Sequence, residues 1–399
     1  MISEKYWPYG GAELATHLIL KMLNSHGIFK ITVLTGCRNP ERISGVNYIY
    51  NSFLDAPTKI HLWRNLAIMG KNLSFKRLVK WADIIYIPRI AYPVIPLIKN
   101  LGKKIVVHLH NYQPINFQST ILYPFEKHSG CNFVKDVKYS LMLETLECGN
   151  LKRSLASSIL SPINSLCRFW LPRADVIICV SEKQALIISK EMPELADKIK
   201  VIYNLLPSIP LAEKSFSNVP SILYMGGDLY TKGFYVFLET SYRLLKREGI
   251  KVRFLLTKIF RKENKFLIER LNRVFDNAYA LLGWVKYKEV FKLHSVAHAL
   301  LFPSIWEEPL PYVVIESMLA GTIPIASRVG GIPEIVQGTY AEEMLFTPGN
   351  ITELIDKIEV VLSLSREQLT DIGISLREAT LRKFNNEKIK KQLLKIFEA

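Results

Sequence analysis

Acidic residues are scarce in this chain: 36 Asp and Glu stand against 52 Lys and Arg, and the 399 residues carry a formal net charge of +16. No Asp-x-Asp occurs anywhere, which removes one common way of holding a divalent cation. The cysteines are Cys37, Cys131, Cys148, Cys167 and Cys179, an odd set without Cys-x-x-Cys spacing, so neither a disulfide framework nor a zinc ribbon is indicated. His294 and His298 have the i, i+4 spacing of a helical metal site but lack an intervening Glu and a third ligand, so structural histidines and no metal site are expected. No uncharged apolar run approaches the ~20 residues of a membrane span, and the N-terminus lacks the regions of a signal peptide. An intracellular, cytoplasmic chain is expected, soluble or peripheral at the inner face of the cell membrane.

What is present is a folding composition, 49% hydrophobic and 22% charged, long enough for two or three domains. The positive excess suits nucleic acid, an anionic membrane surface or a phosphorylated substrate. With no zinc-finger spacing and no aromatic RNP motif, nucleic acid is not expected as a partner.

From residue 221 onward, short apolar runs alternate with amphipathic stretches, the pattern of parallel strands joined by helices. Strands are expected at Ser221–Met225, Val252–Leu256, Ala278–Trp284, Ala297–Phe302, Ile323–Ser327 and Met344–Phe346, with helices between them, including one around 311–320. The first half reads as a second α/β domain, with strands at Ile31–Thr35, Asp83–Pro88, Lys104–Leu109, Asp175–Val180 and Lys200–Tyr203. The domains are drawn at 1–203, a linker at 204–220 marked by Pro207, Pro210 and Pro220, 221–377, and a C-terminal helix at 378–399 that packs back on the N-terminal domain. A ligand crevice between the domains is expected. Gly10-Gly11 opens a helix, yet only a few residues precede it. The first strand is therefore expected to be clipped or very short, the start of a truncated domain. The stretch 126–147 shows no clear period and reads as a lid or an acceptor-facing insertion. Leu155, Ile159, Leu160, Ile163, Leu166 and Trp170 have helical spacing and are read as packing within the domain rather than lying on a membrane.

The densest segment runs from Phe302 to Glu334. A strand ends at Pro303, a carboxylate-bearing loop follows, and Pro311 suits the first position of a helix. The helix N-terminus favours an anion, and the amides of Gly330-Gly331 offer a second such place. Glu308 and Glu316, separated by seven residues, suit hydrogen bonds from sugar or ribose hydroxyls. Lys232 follows the Gly226-Gly227-Asp228 turn and supplies a cation to a diphosphate. His110 ends a strand, and His108 is read as packing on the opposite face.

These residues resemble the Glu-x7-Glu signature of glycosyltransferase family 4. Gly10-Gly11-Ala12-Glu13, His110-Asn111-Tyr112, the Ala174-Asp175 strand ending in Val180-Ser181, Val201-Ile202-Tyr203-Asn204, Lys232-Gly233 and Gly283-Trp284-Val285 extend the resemblance over nearly the whole chain. It implies an α/β, GT-B architecture of two Rossmann-like doubly wound domains facing a central crevice. It also implies a retaining hexosyl transfer from a UDP- or GDP-type nucleoside diphosphate sugar to a glycan or lipid-linked acceptor, as in polysaccharide biosynthesis. Glu308 and His110 would be catalytic. Gly10, Gly11, Lys232, Gly283, Trp284, Glu308, Leu310 and Glu316 would bind the donor. No cofactor is implied, and the absence of Asp-x-Asp points to metal-independent transfer.

Three departures stand out. Gly227-Asp228 replaces the family's Gly-Arg, with Arg328 or Lys258 as substitute cations. Pro309-Leu310-Pro311 replaces Pro-Phe-Gly, and Asn204-Leu205-Leu206-Pro207 replaces the usual hinge. Two other classes stay open: a nucleotide-sugar 2-epimerase, and a non-catalytic nucleotide-sugar binder. Finally, residues 70–104 hold Lys71, Lys76, Arg77, Lys80, Arg89, Lys99, Lys103 and Lys104 against Asp83 alone, a candidate contact for an anionic membrane surface or a solvated face.

Overall fold

The computed structural model describes residues 1–6, 10–127 and 133–398. The chain divides into two compact units: residues 1–120, 129–207 and 384–399 form one, and 121–128 with 208–383 form the other. The boundary near 207 thus moves 208–220 and 378–383 into the second unit.

The first unit has two parallel sheets. β1 (Ile2–Ser3), β2 (Thr32–Thr35) and β3 (Asn47–Tyr50) form one, and β4 (Ile84–Ile87), β5 (Lys104–Leu109), β6 (Val176–Cys179) and β7 (Ile199–Val201) form the other, each in that order. β1 is very short, as the sequence suggests, and covers only Leu34 and Thr35 of β2. β1 lies against β4, but no ladder pairs the two among the described residues. Beneath β1 a cavity of about 740 Å³ opens, lined among others by Met1, Ile31, Thr32, Ile84, Ile85 and Phe397. The Met1 amine donates to the Thr32 carbonyl at 2.8 Å, and burial brings its pKa down to about 5. β3 is not legible in the sequence: its residues are mostly exposed, so it lacks the alternation of a half-buried strand.

α1 (Gly11–His26) starts from Gly10, whose carbonyl accepts from the Leu14 amide at 2.8 Å. α2 (Leu73–Trp81) is capped by the Asn72 side chain. The stretch 126–147, expected to be without period, holds the regular helix α3 (Phe133–Cys148); after a turn at Gly149 with φ +63°, the expected helical spacing appears as α4 (Leu151–Leu160). Residues 128–132 of that stretch, with Cys131, lie outside the described residues. The helix Asn386–Glu398 belongs to this unit: Phe397 packs edge-on against Tyr86 at 5.4 Å, and the Lys104 ammonium donates to the Ile396 carbonyl at 2.6 Å.

Two sequence expectations hold only in part. α4 turns its serines inward: Ser154 and Ser158 are buried, whereas Leu151, Leu155 and Ile159 are exposed. Of the apolar stripe, Trp170 does pack within the domain, edge-on against Trp63 at 5.1 Å, whereas Leu155, Ile159, Leu160 and Leu166 do not. Of the basic segment, Lys71, Arg77 and Lys80 are exposed, but Arg89 is not part of an open face. Its guanidinium reaches Glu4 at 2.6 Å and also pairs with Glu13, while Lys99 pairs with Asp175 and Lys104 holds the C-terminal helix.

The second unit is one six-stranded parallel sheet. β8 (Ser221–Tyr224), β9 (Arg253–Thr257), β10 (Tyr279–Gly283), β11 (Ala299–Phe302), β12 (Ile323–Ser327) and β13 (Leu345–Phe346) assemble in the order β10-β9-β8-β11-β12-β13. β8, β11 and β12 are buried along their whole length, as expected of parallel strands covered on both faces. Tyr224 stacks on Phe237 at 4.4 Å beneath the helix α5 (Phe234–Leu245). The order reverses between β8 and β11, and the carboxyl ends of strands at such a reversal are where open α/β sheets place ligands.

Candidate active site

At that reversal the loop after β8 meets the loop after β11. Gly233, with φ +73°, caps α5, and a Cβ there would stand 1.7 Å from the Pro303 carbonyl oxygen. Only glycine permits that approach, and it brings Lys232 beside the carboxylate loop. The Lys232 ammonium donates to Glu308 Oε1 at 2.6 Å. Ser304 Oγ donates to the same oxygen at 2.9 Å and Trp306 Nε1 at 2.6 Å. Three donors thus hold the buried Glu308 side chain in one orientation. Gly330, with φ +51°, packs on the Glu308 backbone, and Gly331 donates to the Glu308 carbonyl at 2.8 Å.

The amides of Gly330 and Gly331 are therefore not open to an anion. Glu307 Oε2 accepts from the Gly330 amide at 2.8 Å, and Glu307 Oε1 accepts from Phe125. Sequence reasoning missed this structural role of Glu307, which has no signal beyond its place next to Glu308.

α7 (Tyr312–Leu319) carries Glu316. Pro311 is its N-cap rather than its first residue, and Leu310 before it is buried. Glu316 accepts from the Tyr287 hydroxyl at 2.6 Å, across from α6 (Tyr287–Val296). Burial raises the Glu316 carboxyl to about 7 against the opposing effect of that hydrogen bond. Tyr287 was not singled out from the sequence, since a tyrosine opening an amphipathic helix carries no distinguishing spacing.

The replacement of Arg by Asp at 228 is balanced locally. Asp228 Oδ2 accepts from the Arg261 amide at 2.7 Å, from Arg261 Nε at 3.1 Å and from Asn264 at 2.9 Å. Burial acts to raise its carboxyl pKa, but the bonds from Asn264 and Arg261 prevail and hold it low. Lys258 lies close by. Its backbone has φ +76°, its amide donates to the Gly283 carbonyl at 2.6 Å, and its side chain runs under Gly227. Burial and the Lys232 charge lower its pKa, while Glu308 opposes them. Lys258 is thus electrostatically coupled to both Lys232 and Glu308; both it and Arg328 are exposed. Gly283 ends β10 at φ +68°, and Trp284 after it is 57% exposed. The second unit therefore brings Lys232, Glu308 and Lys258 together and places Glu316 with Tyr287.

In the first unit, Gly10 and Gly11 start α1 next to the Glu4–Arg89–Glu13 cluster. His110 follows β5. Its ring lies 4.1 Å from that of His108, so the two share a side instead of alternating; residues two apart on a strand face the same way. His108 Nδ1 bonds the Tyr86 hydroxyl at 2.8 Å. Burial brings His108 down to about 3 and, with His108 and Arg89 adding, holds His110 well below the ordinary value. Both rings are neutral at pH 7. His294 is buried, and the His298 ring accepts from the Ser221 amide at 3.2 Å.

Comparison with known proteins agrees with this geometry. Residues 219–363 match the family described as glycosyl transferases group 1. A sulfoquinovosyl transferase of Arabidopsis thaliana is 30% identical over 115 residues, 28% of this chain and 22% of that protein. An uncharacterized 42.6 kDa protein in the cps region of Klebsiella pneumoniae is 24% identical over 84% of this chain and 86% of its own length. The chain thus spans only about a fifth of the Arabidopsis protein but most of the Klebsiella one. Among solved structures, sucrose-phosphate synthase from Thermosynechococcus elongatus aligns with a TM-score of 0.71 at 17% identity, covering 98% of this chain and 93% of that one. Anabaena HepE in complex with UDP-glucose aligns with a TM-score of 0.64 at 17% identity, covering 100% and 98%. Residues 219–363 are thus similar to the group 1 glycosyl transferases, and the solved neighbours show that the chain shares the GT-B fold.

Proposed function

We propose that the chain transfers a sugar from a nucleoside diphosphate sugar to a glycan or lipid-linked acceptor, with retention and without a metal. The observation that carries this reading is the grouping of Lys232, Glu308 and Lys258 where β8 and β11 diverge, with Glu316 on α7. The ammonium groups of Lys232 and Lys258 neutralise the diphosphate as it departs. Glu308 accepts from hydroxyls of the transferred sugar, and Glu316 from the ribose. The Gly283 loop, with Trp284, receives the base, and Leu310 borders the sugar. Within the first unit by itself, Gly10, Gly11 and His110 are the residues assigned to substrate contact, His110 as a neutral hydrogen-bonding ring.

In a retaining transfer of this kind the anomeric carbon–oxygen bond to the phosphate breaks and the acceptor oxygen bonds to the same face. The acceptor proton passes to the leaving phosphate oxygen. No enzyme nucleophile is required, and two lysines supply the charge that a metal supplies elsewhere. Anabaena HepE, a structural neighbour, is solved in complex with UDP-glucose, which favours UDP as the first nucleotide to try.

The experiment is thermal stabilisation by UDP, GDP and ADP, each with and without magnesium, since a ligand that binds the folded state raises the melting point. A selective shift with one nucleotide, unchanged by magnesium, supports the proposal. A shift that needs magnesium overturns the metal-independent part, and no shift with any of them overturns the donor site. Release of free nucleotide during turnover then separates transfer from epimerisation.

A further inference from the structure

The helix α4 is built inside out. Ser154, Ser158 and Ser161 are buried, and each hydroxyl is satisfied by a carbonyl three or four residues back, from Asn150, Ser154 and Ser158 respectively. The outward face carries Leu151, Leu155 and Ile159 one turn apart, at 64%, 46% and 73% exposure, and the exposed Leu166 and Phe169 follow. Hydroxyl groups thus take the interior, and the largest apolar side chains face out. A contiguous exposed patch of this kind marks an interaction surface.

Charge says what it meets. Residues 151–173 contain Lys152, Arg153, Arg168 and Arg173 and no Asp or Glu. Arg153 reaches Glu144 of α3 and Arg168 reaches Glu194. Lys152 extends into solvent beside Leu151, and Arg173 lies over the Phe169 ring at 3.7 Å. With Arg153 and Arg168 offset by Glu144 and Glu194, the cations left at the patch are Lys152 and Arg173, and a second copy docking through the same patch would set these against each other. An anionic lipid surface instead accepts both features, with apolar side chains entering the acyl boundary and cations staying at the headgroups.

We propose that the exposed face of α4, continued by Leu166 and Phe169, is a docking surface for an anionic bilayer. The surface differs from the 70–104 segment, whose cations Arg89, Lys99 and Lys104 are engaged inside the first unit. The proposal does not depend on the transfer chemistry.

The test is co-sedimentation of the full chain with vesicles of phosphatidylglycerol and phosphatidylcholine, against vesicles of phosphatidylcholine alone, at low salt. Wild type is expected to pellet with the first and not the second. L155D/I159D is expected to lower the pelleted fraction at least tenfold with an unchanged melting point, and K152E to lower it severalfold. Should the aspartate pair disturb folding, L155S/I159S gives the same readout with at least a threefold loss. The proposal is overturned if wild type stays in the supernatant, if the folded double variants pellet as well as wild type, or if light scattering shows a dimer that these substitutions dissociate while vesicles are not bound.

Discussion

The Lys232 ammonium and Glu308 Oε1, drawn from loops 76 residues apart, lie 2.6 Å from each other in the second unit. The carboxylate is almost fully buried and the lysine is a quarter exposed, so the pair is shielded yet reachable. Lys232→Ala removes the cation and leaves Glu308 with Ser304 and Trp306. Hydrogen bonds to charged groups are worth about 1.5–3 kcal/mol, so a destabilisation in that range is expected by urea unfolding. Nucleoside diphosphate affinity is expected to fall at least tenfold, about 1.4 kcal/mol, by calorimetry. Retained affinity would remove Lys232 from the diphosphate site.

Lys258 should behave in the opposite sense for stability. The residue is exposed, yet its ammonium is partly desolvated and faces the like charge of Lys232, so Lys258→Met relieves that desolvation and repulsion. Thermal stability is expected to hold or rise while diphosphate binding weakens. A loss of stability with binding intact would make Lys258 a structural residue.

Glu316 gives a pH signature. Its carboxyl is raised to about 7, so the empty folded state takes up a proton that the unfolded state releases near ordinary carboxylate values. Glu316 therefore favours the folded state less as pH rises from about 4.5 toward 7. For binding the sign reverses, because the ionised form accepts from ribose hydroxyls. If only that form binds, affinity rises about tenfold between pH 6 and 8. The part of this rise due to Glu316 is the difference from E316Q in parallel titrations, and identical profiles would exclude the role.

Gly233→Ala tests the junction of the two loops. A Cβ 1.7 Å from the Pro303 oxygen must displace backbone, at a residue with φ +73°. The cost expected is about 1–3 kcal/mol or more, seen as a lower melting point with nucleotide binding reduced in parallel. Gly249→Ala, also at positive φ but with no neighbour within 4 Å of the added carbon, is the control and should show strain alone.

The sequence made much of this visible for identifiable reasons. Strands buried on both faces show as apolar runs, so the strands of the second unit lie close to the expected positions. Lys232, Glu308 and Glu316 were legible because each sits beside a strand end or a helix start. Long-range pairing was not. Arg89 reads as one more surface cation until the fold brings it to Glu4 and Glu13, 85 and 76 residues away. Asp228 reads as a defect until Arg261 and Asn264 close on it. The spacing of Leu155 and Ile159 predicts a helix correctly but not which face is inward, since Ser154 and Ser158 satisfy their own hydroxyls and bury at little cost.

The shortness of β1 has a mechanical consequence. With no ladder between β1 and β4 among the described residues, the first unit is two hydrogen-bonded plates joined by side-chain packing. The plate bearing Glu4 and Gly10 is registered to the plate bearing Arg89 and His110 through the two ion pairs of Arg89. Among the described residues, shear along that seam would break no ladder hydrogen bond, so the ion pairs of Arg89 are what oppose it.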